Sequence, residues 1–161
     1  WLDDNPWFLD LPFSNLARYN LPEVNLKELL KRVTFAHDFE DGEKLVKSSE
    51  FDLYILDGDF PNVLEQPRKW QLEEQIKALE KGEKVKIESY YQKDQVYGNF
   101  MDFYKSLLIN KKDKVIVYSI AEPAAAESFF LGLPYYSKSR SKPLEEIQRD
   151  VKRYYRWGKL D

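Results

Sequence analysis

The chain has 161 residues and a formal charge of −3, from 25 basic and 28 acidic side chains, which excludes a wholesale nucleic-acid or membrane binder. Apolar residues make up 43% and charged residues 33%, a globular balance that excludes intrinsic disorder; one domain of this length buries roughly 70% of its unfolded surface. There is no cysteine and one histidine, His37, so disulfides, thiol nucleophiles, iron–sulfur clusters and multi-histidine metal sites are excluded too.

Taken in order, the chain opens on Trp1-Leu2, read as the end of a strand, followed by Asp3-Asp4-Asn5-Pro6 as the loop leaving it. The rest of that strand is expected upstream of residue 1. Leu26, Leu29, Leu30 and Val33 recur every three to four positions and predict an amphipathic helix within 22–32. Val33-Thr34-Phe35-Ala36 reads as a short strand, Asp41-Gly42-Glu43 as punctuation, and Lys44 to Ser48 as a short helix. Phe51 to Leu56 is a near-continuous apolar run ending at Asp57, the pattern of a parallel strand buried on both faces. Leu72, Ile76 and Leu79 form a helical stripe closed by Gly82, and Val85 to Tyr91 reads as an extra strand or extended arm.

Phe100, Phe103, Tyr104, Leu107 and Leu108 mark another helix, ending near Asn110. Lys114 to Tyr118 is a second buried-type strand, ending in Ser119. Ala124 to Leu131 is an alanine-rich helix stopped by Gly132, and Leu133 to Ser137 makes a last strand. Pro143 starts a final helix that runs to about Trp157. Strands separated by helices predict an open parallel α/β sheet within one domain spanning 1–161. No apolar run approaches the ~20 residues of a membrane span and no signal-peptide pattern is present, so a soluble cytoplasmic protein is expected.

In such a sheet the active crevice lies beyond the carboxyl ends of the strands. The first strand delivers Asp3 and Asp4 there, the middle one Asp57, the next Ser119 and the last Lys138. Clustered carboxylates repel one another and persist best when a divalent cation neutralises them, and Mg²⁺ prefers oxygen ligands. A carboxylate beside that ion can attack phosphorus and become an acyl phosphate, whose oxygens a hydroxyl and an ammonium then bind.

These residues resemble the receiver domain of two-component response regulators. Asp3-Asp4 resembles its metal-binding acidic pair, and Asp57-Gly58-Asp59-Phe60-Pro61 its D-x-x-φ-P segment around the phosphoacceptor aspartate. Val115 to Ser119 resembles the strand ending in the family's Ser/Thr. The alanine-rich helix, Gly132 and Tyr135-Tyr136-Ser137-Lys138 resemble the segment that ends in its lysine, and Asp41-Gly42-Glu43 the start of its second helix. The resemblance implies a five-stranded open sheet of flavodoxin-like order 2-1-3-4-5 with helices on both faces. It implies Asp57 as phosphoacceptor, Ser119 and Lys138 as phosphoryl-binding groups, and Tyr135 as the switch aromatic. Mg²⁺ would be held by Asp3, Asp4, Asp57 and the backbone carbonyl of Asp59. The implied partners are a histidine kinase or small-molecule phosphodonor and a downstream protein, with a homodimer possible in principle.

Two features depart from the family. Sixty-two positions separate Asp57 from Ser119, more than a receiver needs, which assigns a helical insertion to about 62–98. The dipeptide Lys-Pro falls at Lys142-Pro143 rather than at Lys138, and Lys138 is preferred because it follows the strand directly. Bland readings stand beside these. Asp57 could cap a turn, the Asp59 side chain could be a solvated or capping group, and His37 is expected to be a surface or satisfied histidine. Trp70, Leu72, Ile76 and Leu79 are expected in the core of the insertion.

From Lys138 onward eight basic residues face four acidic ones, so this segment carries +4 and residues 1–137 carry −7. It reads either as a solvated helix or as a face for an acidic partner, a second subunit or nucleic acid. The leading function is thus a phosphoacceptor domain, with at most its own dephosphorylation as an activity. One alternative is a receiver-like interaction module that is not phosphorylated. Another is a phosphatase of haloacid-dehalogenase type, which Asp57-Gly58-Asp59 also resembles; that family needs an acidic pair downstream of its lysine, where the aspartates of this chain are Asp150 and Asp161 alone.

Overall fold

The computed structural model describes residues 1–4, 33–81, 83, 97–120 and 122–137. The helix within 22–32, Gly82, the stretch Val85–Tyr91, Lys138 and the C-terminal helix from Pro143 lie outside the described residues.

The chain is α/β. Three parallel strands form its main sheet: β1 (Tyr54–Leu56), β4 (Val115–Ser119) and β5 (Tyr135–Ser137), in the order β1-β4-β5. Tyr54 pairs with Val115 and Leu56 with Val117, while Val117 pairs with Tyr135 and Ser119 with Ser137. Side chains alternate across the strands and both faces are buried, which is why the sequence reads as continuous apolar runs. Tyr54, Leu56, Val115 and Val117 join Phe60, Phe103, Tyr104 and Leu108 in the larger cluster. Ile55, Ile116 and Tyr118 face the other way, with Trp1, Leu53 and Tyr136 around them.

Beyond β1 the five-stranded expectation reduces to two single bridges. Leu2 bridges Leu56 on one side and Ala36 on the other, both parallel. The backbone bonds Leu2 N–H to Ile55 C=O (2.8 Å), Asp57 N–H to Leu2 C=O (2.9 Å) and Asp3 N–H to Ala36 C=O (2.9 Å) hold them in line. The strand predicted over 33–36 therefore contributes Ala36 alone. Its successors leave the sheet for polar tasks, because Asp38 caps the next helix.

That helix, α1 (Phe39–Ser48), starts five residues earlier than the sequence suggests. Asp38 takes an extended conformation and its carboxylate accepts from Asp41 N–H at 2.8 Å, the N-cap arrangement that satisfies an otherwise orphaned donor. Asp41-Gly42-Glu43 thus lies inside the helix.

After β1 comes an element the sequence did not suggest. β2 (Asp59–Pro61) pairs antiparallel with β3 (Tyr97–Asn99), with Asp59 opposite Asn99 and Pro61 opposite Tyr97. Between them runs α2 (Gln66–Glu80), the helix expected in the insertion. Leu72 is fully buried on it and Trp70 is exposed, so Leu72 alone of that pair is core. Asn99 caps α3 (Phe100–Phe103), accepting from Met101 N–H at 2.7 Å. A π-helical turn (Tyr104–Leu108) and a 3₁₀ segment (Ile109–Lys114) follow, burying Tyr104 and Leu108. Finally α4 (Glu122–Leu131) ends at Gly132, whose φ of 64° is the left-handed conformation that a side chain would strain. No helix among the described residues is long and apolar enough to cross a membrane.

Candidate metal centre

Three carboxylates meet at the carboxyl ends of the central strands. Asp3 and Asp4 leave the bridge at Leu2, and Asp57 directly follows β1. One carboxylate oxygen from each lies within 4.8 Å of the others. Asp3 is fully buried, Asp57 is 9% exposed and Asp4 is half-buried. The grouping follows from the backbone. Asp57 N–H donates to the carbonyl of Leu2, the residue before the acidic pair, so the strand that carries Asp57 is tied directly to the one that carries Asp3.

Part of the charge is met by neighbouring donors. The Trp1 indole N–H donates to Asp3 Oδ2 at 3.2 Å, and Gly58 N–H donates to Asp57 Oδ1 at 2.7 Å. Like charges at this spacing repel by on the order of 3 kcal/mol a pair at an effective dielectric near 20. The donor set fits one hard cation. Oxygens bound to one Mg²⁺ at 2.0–2.1 Å stand about 3–4 Å apart, within reach of this cluster.

Ser119 is the last residue of β4 and is 1% exposed. A Cβ on Gly58 would lie 2.5 Å from Ser119 Oγ and 2.8 Å from the Ala124 Cβ, so the peptide after Asp57 runs directly beneath the serine hydroxyl and the first turn of α4. Only glycine allows that approach. The Tyr135 hydroxyl donates to the Ser119 carbonyl at 3.0 Å, which joins the aromatic of β5 to the serine. Ser137 pairs with Ser119, so β5 ends level with it; Lys138, the next residue, lies outside the described residues.

Asp59 stands in β2 with its side chain exposed, and partial desolvation raises its carboxyl above the ordinary value. Phe100 N–H donates to Gly58 C=O at 3.1 Å, so in the alternating antiparallel pattern the backbone groups of Asp59 turn away from Asn99. His37 is 3% exposed, and as the Nδ1–H tautomer it donates to the Asp3 carbonyl at 3.1 Å. Burial lowers its pKa, outweighing that hydrogen bond, which acts to raise it. It is a satisfied histidine that braces the backbone of the acidic pair.

Sequence reasoning passed over Asp38. It is 2% exposed, and besides capping α1 it accepts from Leu64 N–H at 2.8 Å. Lys69 of α2 approaches the same carboxylate at 3.9 Å and pairs with Asp41. Asp38 therefore fastens the chain at Leu64 to the start of α1. At the far end of the insertion, Asn99 Nδ2 reaches the Glu127 carboxylate of α4 at 3.3 Å. The signal available for Asp38 was the aspartate three residues before Asp41, a spacing that suits a cap.

Compared with family models, with curated proteins and with solved structures, the chain matches none.

Proposed function

We propose that this chain is a Mg²⁺-dependent phosphoacceptor domain of receiver type, phosphorylated on Asp57. The observation that supports it most is the meeting of Asp57 with Asp3 and Asp4, more than fifty positions upstream in sequence, with Ser119 packed against Gly58. The bridges at Ala36 and Leu2 also continue the order β1-β4-β5 sideways, in agreement with a 2-1-3-4-5 arrangement.

In this reading an Asp57 carboxylate oxygen attacks the phosphorus of a phosphohistidine or an acyl phosphate. The bond from phosphorus to the donor's nitrogen or oxygen breaks, and the donor leaves with that electron pair. A bound Mg²⁺ would supply positive charge for the carboxylates and for the phosphoryl oxygens that arrive. The Ser119 hydroxyl, already over the Asp57–Gly58 peptide, would donate to one phosphoryl oxygen, and Lys138 would pair with another. Tyr135, bonded to the Ser119 carbonyl, would pass that change to the surface of β5, where a downstream protein reads it.

The test is incubation with acetyl phosphate and Mg²⁺. One acid-stable, base-labile phosphate per chain is expected, absent with EDTA and absent in Asp57→Asn. Labelling that persists in Asp57→Asn, or its absence from the wild type, overturns the assignment.

A further inference from the structure

We propose that Trp1 is a positioning residue: by binding one oxygen of Asp3 it keeps that carboxylate from chelating, and so makes the acidic centre select a small octahedral dication over Ca²⁺. The inference rests on the metal centre proposed above, and not on phosphoryl transfer to Asp57. The parallel bridge between Leu2 and Ala36 sets Trp1 beside Phe35 and Asp3 beside His37, all on one face, since side chains two apart on an extended chain point the same way. There the Trp1 indole N–H donates to Asp3 Oδ2 at 3.2 Å. The ring is seated from two sides. It stacks on Phe35 at 5.9 Å and 29°, and it meets Tyr118, a fully buried residue of β4, edge to face at 5.5 Å and 78°. An indole nitrogen only donates, so a ring held in this seat offers Asp3 a donor and never a competing ligand.

Asp3 is held by its backbone as well. Its N–H donates to the Ala36 carbonyl at 2.9 Å, and its carbonyl accepts from His37 Nδ1 at 3.1 Å. The His37 ring lies parallel to Phe35, 6.3 Å away at 9°, on the same phenylalanine that carries Trp1. One aromatic row thus brings two ring N–H groups to Asp3, one at its carboxylate and one at its carbonyl. With its main chain and one oxygen fixed, this buried carboxylate is hindered from turning both oxygens toward one ion. That restriction separates the two hard cations. Mg²⁺ demands near-ideal octahedral geometry at about 2.0–2.1 Å, whereas Ca²⁺ takes six to eight oxygens at about 2.3–2.6 Å, often two from one carboxylate. An Asp3 oxygen committed to the indole is withdrawn from chelation, so Ca²⁺ loses a ligand that Mg²⁺ does not need.

Displacement of bound Mn²⁺ by Mg²⁺ and by Ca²⁺ at matched ionic strength, followed by the paramagnetic resonance of free Mn²⁺, gives both affinities with no phosphoryl donor present. The wild-type chain is expected to bind Mg²⁺ more tightly than Ca²⁺. Trp1→Phe keeps the stacked ring and removes the N–H. It should shift the ratio of the two dissociation constants toward Ca²⁺ by roughly tenfold, the low end of what groups bonded to metal ligands commonly carry. His37→Ala should move the ratio the same way, and His37→Asn, which keeps an N–H donor, should restore it to within about twofold. If Trp1→Phe does not fold, Phe35→Leu, which unseats the indole without removing it, is read in its place. A merely structural role would weaken both ions together. That outcome, an unchanged ratio, or a wild type that prefers Ca²⁺ overturns the assignment and leaves the metal centre standing. A wild type that binds no Mn²⁺ overturns both.

Discussion

Asp3 has no exposed surface, yet beside the Trp1 indole that donates to it stand two more carboxylates. The strands around it hold the cluster together, at a cost in repulsion that a bound cation would relieve. The consequence is measurable without any phosphoryl donor. Mg²⁺ at ten times its dissociation constant should raise unfolding free energy by about 1.4 kcal/mol, since binding to the folded state alone adds RT ln(1 + [L]/Kd). Asp57→Asn should behave oppositely. With one repelling charge removed it should be about 1–2 kcal/mol more stable than wild type in EDTA, and should gain little from Mg²⁺. Urea unfolding with and without the ion checks both. The acidic trio was legible because Asp3 and Asp57 directly follow apolar runs and Asp4 is paired with Asp3. That His37 is satisfied was legible, but its partner and that of Trp1 were not, since an indole that donates to Oδ2 and an imidazole that braces a carbonyl act through geometry that carries no spacing signal.

At the scale of elements, β1 and β4 were the clearest features because burial on both faces removes polar residues from the run. The same physics hid β2 and β3. Each is three residues long, and Pro61 and Gly98 are residues that ordinarily mark turns. Here Pro61 sits at the end of β2, opposite Tyr97, where a missing N–H costs one ladder bond at most. The start of α1 was misplaced for a related reason, as Asp41-Gly42 reads as a turn until the Asp38 cap is seen. That cap carries more than one helix. Asp38→Ala removes the acceptor for Asp41 N–H, worth about 1 kcal/mol, and strands the Leu64 N–H, worth about 1–3 kcal/mol more. A loss of about 2–4 kcal/mol in chemical unfolding is expected, with Asp38→Asn, which keeps an acceptor oxygen, losing less than half of it.

For the molecule as a whole, alternating strands and helices made the α/β class legible, while the side of the sheet beyond β1 came out, among the described residues, as bridges at Leu2 and Ala36 rather than full strands. A helix within 62–98 was legible from the stripe of Leu72, Ile76 and Leu79, but the way that segment closes was not. Because Pro61 and Tyr97 are cross-strand partners, residues 62–96 begin and end at neighbouring points. Replacing them by a turn of about four residues centred on Asn-Gly should leave a foldable chain whose acetyl phosphate labelling stays within about twofold of wild type. A shortened chain that folds cooperatively but no longer labels would show that the insertion takes part in the site. Closed in this way, the excursion resembles a side branch clipped at its stem and pinned once more where Leu64 and Lys69 meet Asp38 and Asp41: whatever hangs beyond the pin can lengthen, shrink or be exchanged for an unrelated sequence, and the strand tips bearing Asp57 and Ser119 need not move.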